Sequence, residues 1–215
     1  MDENIVKLQK IRGKIDDMLR GEKTVIMRCA KYNWVECFDF WVKHGEDINF
    51  CDEDNWTALH EAVEYGNYES CEKLIELGAN VDIQTKVLLE TPLMLVIKKR
   101  NMKIFKLLAP LSDLSIKGLR DETAIHKAII FGGIEYVCIL ASYGADINAQ
   151  TRHGYTILMF SVMEDKSDCF DFIINCNPDI NLINYEGKTA LELVDKRDTK
   201  NKEYYKHVLR QMNSE

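Results

Sequence analysis

The chain has 215 residues, 46% hydrophobic and 29% charged, with a net charge of −7 from 28 Lys and Arg against 35 Asp and Glu. Such a composition excludes wholesale disorder, and the acidic balance argues against a dedicated binder of nucleic acid or anionic membrane, which needs a basic excess. No apolar run approaches the ~18–20 residues of a membrane span, and Met1-Asp2-Glu3-Asn4 is not how a secretory signal begins.

The first expected element is an amphipathic helix over residues 1–19, with Ile5, Leu8, Ile15, Met18 and Leu19 as its apolar stripe. One pattern then repeats to the end. A threonine recurs at Thr24, Thr57, Thr91, Thr123, Thr156 and Thr189, at spacings of 33, 34, 32, 33 and 33 residues. Thr57-Ala58-Leu59-His60-Glu61-Ala62 aligns with Thr123-Ala124-Ile125-His126-Lys127-Ala128. A second mark is centred 24 residues after most of these threonines, in Asp47-Ile48-Asn49, Asn80-Val81-Asp82, Asp146-Ile147-Asn148 and Asp179-Ile180-Asn181. Asp113-Leu114-Ser115 is the degenerate copy, one residue early.

Each unit reads as two short helices. In the second, Thr57 caps a helix to about Tyr65, Gly66-Asn67 turns the chain, and a second helix runs to about Leu77 before Gly78 ends it. Gly45, Gly144 and Asn177 are the equivalent stops, and only the third unit lacks one, at Leu111 and Ser112. Cys71, Leu74 and Ile75, then Val137, Ile139 and Leu140, then Phe170, Ile173 and Ile174 recur at helical spacing as packing positions. The expected boundaries are a capping helix at 1–19 and units at 20–52, 53–86, 87–118, 119–151, 152–184 and 185–215. The last unit turns polar over 195–203, and Tyr204, Tyr205, Val208, Leu209 and Met212 form the expected inner face of a closing helix.

These residues resemble the ankyrin repeat, whose signature combines T-P-L-H-x-A, a glycine at the helix turn and G-A-D-V-N after the second helix; Thr91-Pro92-Leu93 keeps the proline. The resemblance implies an all-α solenoid of helix–turn–helix units joined by β-hairpin loops, capped at both ends. It also implies that Thr57 with His60, and Thr123 with His126, tie hairpin to helix. Met27, Met94, Met159 and Glu192 stand in the histidine position elsewhere, so the tie is expected to be absent there. The hairpin glycine survives only as Gly154 and Gly187; Asn55 and Asp121 tolerate its turn, whereas Glu22 and Leu89 leave the geometry open.

Catalytic signatures are absent: no phosphate-binding glycine loop, nucleophile elbow, HExxH or kinase set. The seven cysteines, at 29, 37, 51, 71, 138, 169 and 176, form no CxxC pair and read as reduced thiols, which places the chain in the cytoplasm or nucleus. His44, His153 and His207 are isolated, and Asp52-Glu53-Asp54 lacks the rest of a calcium loop and reads as a solvated hairpin tip. No metal or cofactor is expected. Charge is segregated: residues 46–76 carry ten acids against Lys73 alone, and 86–127 are mainly basic. That pattern reads either as two solvated faces or as a polarised surface that orients a partner.

The reading is a non-catalytic protein–protein recognition module, an adaptor, inhibitor or assembly chaperone, monomeric alone, with no nucleic-acid or membrane partner. Its alternatives are a substrate-recruiting segment of a larger enzyme, disfavoured if the chain ends at Glu215, or a structural or dimerising module. The resemblance puts the binding surface on the concave side, at residues just before each threonine and seven or eight after it. Those are Glu53, Asp54, Trp56 and Tyr65; Leu88, Leu89, Glu90 and Lys98; Leu119, Arg120, Glu122, Ile130 and Phe131; and Arg152, His153, Tyr155 and Met163. The alternative for Leu88, Leu89, Ile130 and Phe131 is that they turn inward around the irregular third unit. Ankyrin repeats also resemble substrates of an asparaginyl hydroxylase that favours a Leu eight residues before the Asn, as Leu140 stands to Asn148.

Overall fold

Each repeat begins where the chain leaves an extended threonine and enters a helix. A computed structural model describes residues 24–196 and 200–213, so the capping helix expected at 1–19 and the turn at Glu22 lie outside the described residues. Thr24, Thr57, Thr123 and Thr156 all have ψ between 165° and 174°, outside the helical region, and act as N-caps. The Oγ1 of Thr24, Thr57, Thr91 and Thr156 each accepts the N–H three residues on, at 3.3 Å. This satisfies one of the donors that the first helical turn otherwise leaves unpaired.

The helices pair as the sequence predicts: α1 (Val25–Tyr32) with α2 (Phe38–Lys43), α3 (Ala58–Glu64) with α4 (Tyr68–Glu76), and α5 (Pro92–Lys99) with α6 (Met102–Leu108). Then come α7 (Ala124–Lys127), extended by a π-helical turn at Ala128–Gly132, with α8 (Ile134–Ser142), and α9 (Ile157–Met163) with α10 (Ser167–Asn175). The final pair is α11 (Ala190–Lys196) and α12 (Lys202–Met212). Gly45, Gly78 and Gly144, with φ of 87–89°, and Asn177, with φ of 51°, stop the second helices. There is no β-strand among the described residues; the hairpins close through single turns instead of ladders.

The chain divides into two compact units, one of residues up to Val96 with Lys103–Leu108, the other of Ile97–Met102 with everything from Ala109. In the first, α1 packs against α3, and Ile26, Ala30, Leu59, Ala62, Val63 and Leu74 are at or below 1% exposure. In the second, α9 packs against the π turn and α11, burying Ile129, Leu140, Leu158, Val162 and Ile173. Each of these Val, Leu and Ile side chains contributes about 1.5–3 kcal/mol relative to exposure. On the second helices two of each predicted trio are buried, while Ile75, Ile139 and Ile174 are half-exposed at the stripe's edge. In α12, Tyr205 and Leu209 face inward as expected, whereas Tyr204 is 44% exposed and donates its hydroxyl to Asp171.

The histidine tie is present in full at two places. Thr57 N–H and hydroxyl both reach His60 Nδ1 (3.2 and 2.9 Å), and His60 Nε2 donates to Glu90 O at 3.3 Å. His126 repeats this with Thr123 and with Tyr155 O. Expecting no tie at Glu192 was wrong: its carboxylate accepts Thr189 N–H at 2.9 Å, as the glutamate of a capping box does. The left-handed residue two before the threonine is equally regular, with φ of 59° at Asn55, 56° at Asp121, 74° at Gly154, 70° at Gly187 and 51° at Leu89. Gly154 is also required sterically, because a Cβ there would stand 2.9 Å from Asn184 Cα.

Burial lowers the pKa of both His60 and His126 from 6.5 to about 4. The folded chain therefore resists protons that the unfolded chain takes up, so stability present above pH 6.5 is lost as pH falls toward 4. Urea unfolding should show a loss of about 2 kcal/mol per histidine between pH 7 and 5, and His60→Met/His126→Met should lose that dependence. Leu89→Asn, which places the residue of Asn55 at the strained position, should raise the urea midpoint by the equivalent of about 0.5–1 kcal/mol.

Candidate functional site

The hairpins are built by one device repeated. Asp52 Oδ1 accepts the N–H of Asp54 and of Trp56 at 3.1 and 2.9 Å, and Asn184 Oδ1 accepts Glu186 and Lys188 N–H at 3.0 Å. Thr85 and Thr151 close theirs through Oγ1 to Glu90 and Tyr155 N–H. Asp52 is thus held as a turn acceptor. Four hairpins close from N–H to the carbonyl four residues on, but Thr85 N–H reaches Glu90 O, five on. The inserted residue bulges the tip, leaving Val87, Leu88 and Leu89 at 66, 42 and 38% exposure.

In the first unit Glu53 and Asp54 are exposed at their tip and Tyr65 is 52% exposed at the end of α3. Tyr32 takes the same place on α1, stacked on Trp34 with centroids 5.1 Å apart. Lys31 Nζ lies 5.5 Å from the Tyr32 ring and 5.0 Å from that of Tyr65, gathering the rings into one exposed patch. An open groove in the same unit is lined by Glu53, Asn55, Gln84, Lys86 and Leu89.

The second unit presents Leu119, Arg120, Arg152 and His153 at its tips, all exposed, with Phe131 39% exposed at the end of the π turn. Lys98, in this unit's share of α5, is exposed, and Ile130 and Met163 are half-buried. His153 and Tyr185 rings are 5.3 Å apart, and Tyr185 is 68% exposed.

Positions immediately before the threonine are not exposed as expected. Glu90 and Glu122 are 5 and 7% exposed, and Trp56 and Tyr155 are half-buried. The backbone is extended there, so successive side chains alternate sides and this one turns toward the helix. Trp56 packs on His60 (5.1 Å) and Tyr155 near Phe160 (5.9 Å). Glu122 pairs with Lys127 at 2.7 Å, both side chains nearly buried. Conversely, the offsets applied to every repeat would have found Tyr32, Val87 and Tyr185, which lie eight after or four before a threonine.

The charge blocks partly meet within the first unit: Lys103 approaches Glu69 at 3.8 Å and lies 3.6 Å over Tyr68, and Lys73 binds Asp39 at 3.0 Å. Asn148 is exposed, but its Oδ1 accepts Asp179 N–H at 2.9 Å, just as Asn49 receives Asn80 N–H at 2.7 Å. All seven cysteines are free, and Cys29, Cys37, Cys71 and Cys169 are buried.

Helix–turn–helix units entered through capped threonines, with side chains displayed from the hairpins and first-helix ends, define an all-α repeat protein. The profile of ankyrin repeats, in three copies, matches residues 2–86 and 83–151, and the chain belongs to the ankyrin-repeat family. It is 29% identical to inversin of Mus musculus over 197 residues, 87% of this chain and 18% of that protein. With Rabankyrin-5 of Mus musculus the identity is 30% over 154 residues, 71% of this chain and 11% of the other. The chain thus spans less than a fifth of the length of these curated relatives. Among solved structures, an ankyrin repeat domain from Acinetobacter baumannii AYE gives a TM-score of 0.76 at 20% identity, covering 86% of this chain and 95% of that one. The ankyrin repeat domain of Bcl-3 gives 0.78 at 17%, covering 88% and 82%. Ankyrin repeats are protein-interaction modules.

If Glu122 is a packing residue rather than a contact for a partner, Glu122→Ala should cost about 2–3 kcal/mol in stability by leaving Lys127 without its ion pair. Glu122→Leu/Lys127→Met should recover most of that loss in urea unfolding.

Proposed function

We propose that this chain is a non-catalytic recognition module, monomeric alone, that binds a partner protein through its hairpin tips and first-helix ends. The observation that carries the reading is the periodic exposure of large side chains at fixed offsets: Tyr32 and Tyr65 eight residues after their threonines, Val87, Leu119 and Tyr185 four before. A repeat needs no Tyr or Leu there to fold, since these side chains are 42–68% exposed. Aromatic residues beside Arg are the side chains that dominate binding energy where proteins meet. The buried histidines support a non-catalytic role, because both ring nitrogens of His60 and of His126 are engaged in hairpin bonds. The free thiols fit a reducing compartment, cytoplasm or nucleus. The chain would serve as the recognition segment of an adaptor, inhibitor or assembly chaperone. Hydroxylation of Asn148 rests on its spacing from Leu140.

Affinity capture from native extract, read by mass spectrometry, should recover a protein that the variant Tyr65→Ala/Tyr185→Ala does not. With that protein in hand, each substitution should weaken affinity by about 1–3 kcal/mol and leave the thermal midpoint unchanged. Retained affinity in both variants would move the binding surface elsewhere.

A further inference from the structure

The second unit carries a charge arrangement that its own fold does not use. Arg120 and Arg152 sit on neighbouring hairpins, joined backbone to backbone, because Arg152 N–H donates to Arg120 O at 2.9 Å. Residues paired in this way stand about 5 Å apart. Both side chains are exposed, and neither guanidinium has a carboxylate or ring partner among the described residues. Of the acids on these hairpins, Glu122 pairs with Lys127 and Glu186 with Lys188 and Lys196, while Asp121, next to Arg120, makes no ion pair with either guanidinium. Two like charges side by side repel, so within the monomer this pair contributes nothing to stability. It stands out in a chain of net charge −7, in which the same tip of the second repeat holds Glu53 and Asp54.

The next hairpin continues the line. Tyr185 N–H donates to His153 O at 2.9 Å, and the two rings lie 5.3 Å apart beside the arginine pair. The tips of three hairpins thus present two guanidiniums and then a pair of rings tilted 57° to one another.

We infer that Arg120 and Arg152 receive an acidic, extended segment of the partner protein, with a following apolar residue resting on His153 and Tyr185. The inference deepens the protein-recognition reading and rests on it. A guanidinium presents a planar fork of donors that matches a carboxylate with two parallel hydrogen bonds, and two adjacent forks select two carboxylates. In an extended peptide, side chains at i and i+2 lie on one side about 7 Å apart, which two long arginine side chains on adjacent hairpins can span. The recognised pattern is therefore two Asp or Glu residues, two apart, followed by an apolar or aromatic residue.

The test is selection of a random dodecapeptide phage library on the whole chain, on Arg120→Glu/Arg152→Glu, and on Lys43→Glu/Lys106→Glu, which makes the same change in net charge elsewhere. Circular dichroism checks that each variant is folded. The expected result is enrichment of paired acidic residues on the parent and on the Lys43/Lys106 variant, lost on the arginine variant. A selected peptide, fluorescein-labelled, should bind Arg120→Glu/Arg152→Glu at least 10-fold more weakly by polarisation, and its Asn/Gln counterpart should fail on the parent. Enrichment of neutral or basic peptides would overturn the acidic ligand while leaving protein recognition standing. The same acidic peptides selected equally on the arginine variant, or no enrichment on the parent, would overturn the site.

Discussion

From the second repeat on, the structure depends on a two-part junction: a residue held in the left-handed region, followed two positions later by the threonine that enters the helix. The first reverses the hairpin; the second stops it by giving a hydroxyl to the first turn of the next helix. Asn55 and Thr57, Asp121 and Thr123, and Gly154 and Thr156 all use the same arrangement. Because the junction fixes the direction in which each helix starts, it also fixes which side chains reach solvent eight residues later.

That register explains why exposed and buried roles alternate over so few residues. One step before the threonine the chain faces its own helix, so Glu90, Glu122, Trp56 and Tyr155 turn into structure. Three and four steps before, it faces outward, so Arg120, Arg152 and Tyr185 are exposed. The histidines reinforce the junction where they occur, linking one hairpin to the next through Glu90 O and Tyr155 O. Methionine at the same position keeps the threonine cap but makes no such link, so the repeats are not equally tied.

The period, the caps, the helix stops and the buried stripes were legible in the sequence, because each depends on residue types at fixed spacing. Tyr65, Leu119, Arg120, Arg152 and His153 were correctly expected to be exposed. Glu90 and Glu122 were not legible as buried, because a glutamate reads as solvent-facing until a neighbour such as Lys127 is seen beside it. Leu89 was ambiguous, since a leucine with φ of 51° is contrary to local preference and is held there by the closed hairpin around it. The one-residue excess between Thr57 and Thr91 was visible, but its location in the 85–90 hairpin came only from Thr85 N–H bonding to Glu90 O. The carboxylate tie at Glu192 was not legible from the repeat signature, which carries histidine where a cap requires only an acceptor.

Residue-resolved amide hydrogen exchange tests the junction most directly. The N–H groups of Met27, His60, Met94 and Met159, bonded to threonine hydroxyls, should be protected nearly as well as the helix interiors that follow them. The amides at the tips, those of Glu53, Leu88 and Arg120, should exchange at rates near those of an unstructured chain. Equal, rapid exchange at both sets would mean that the threonine junctions do not hold the repeats, and that their regularity has another origin.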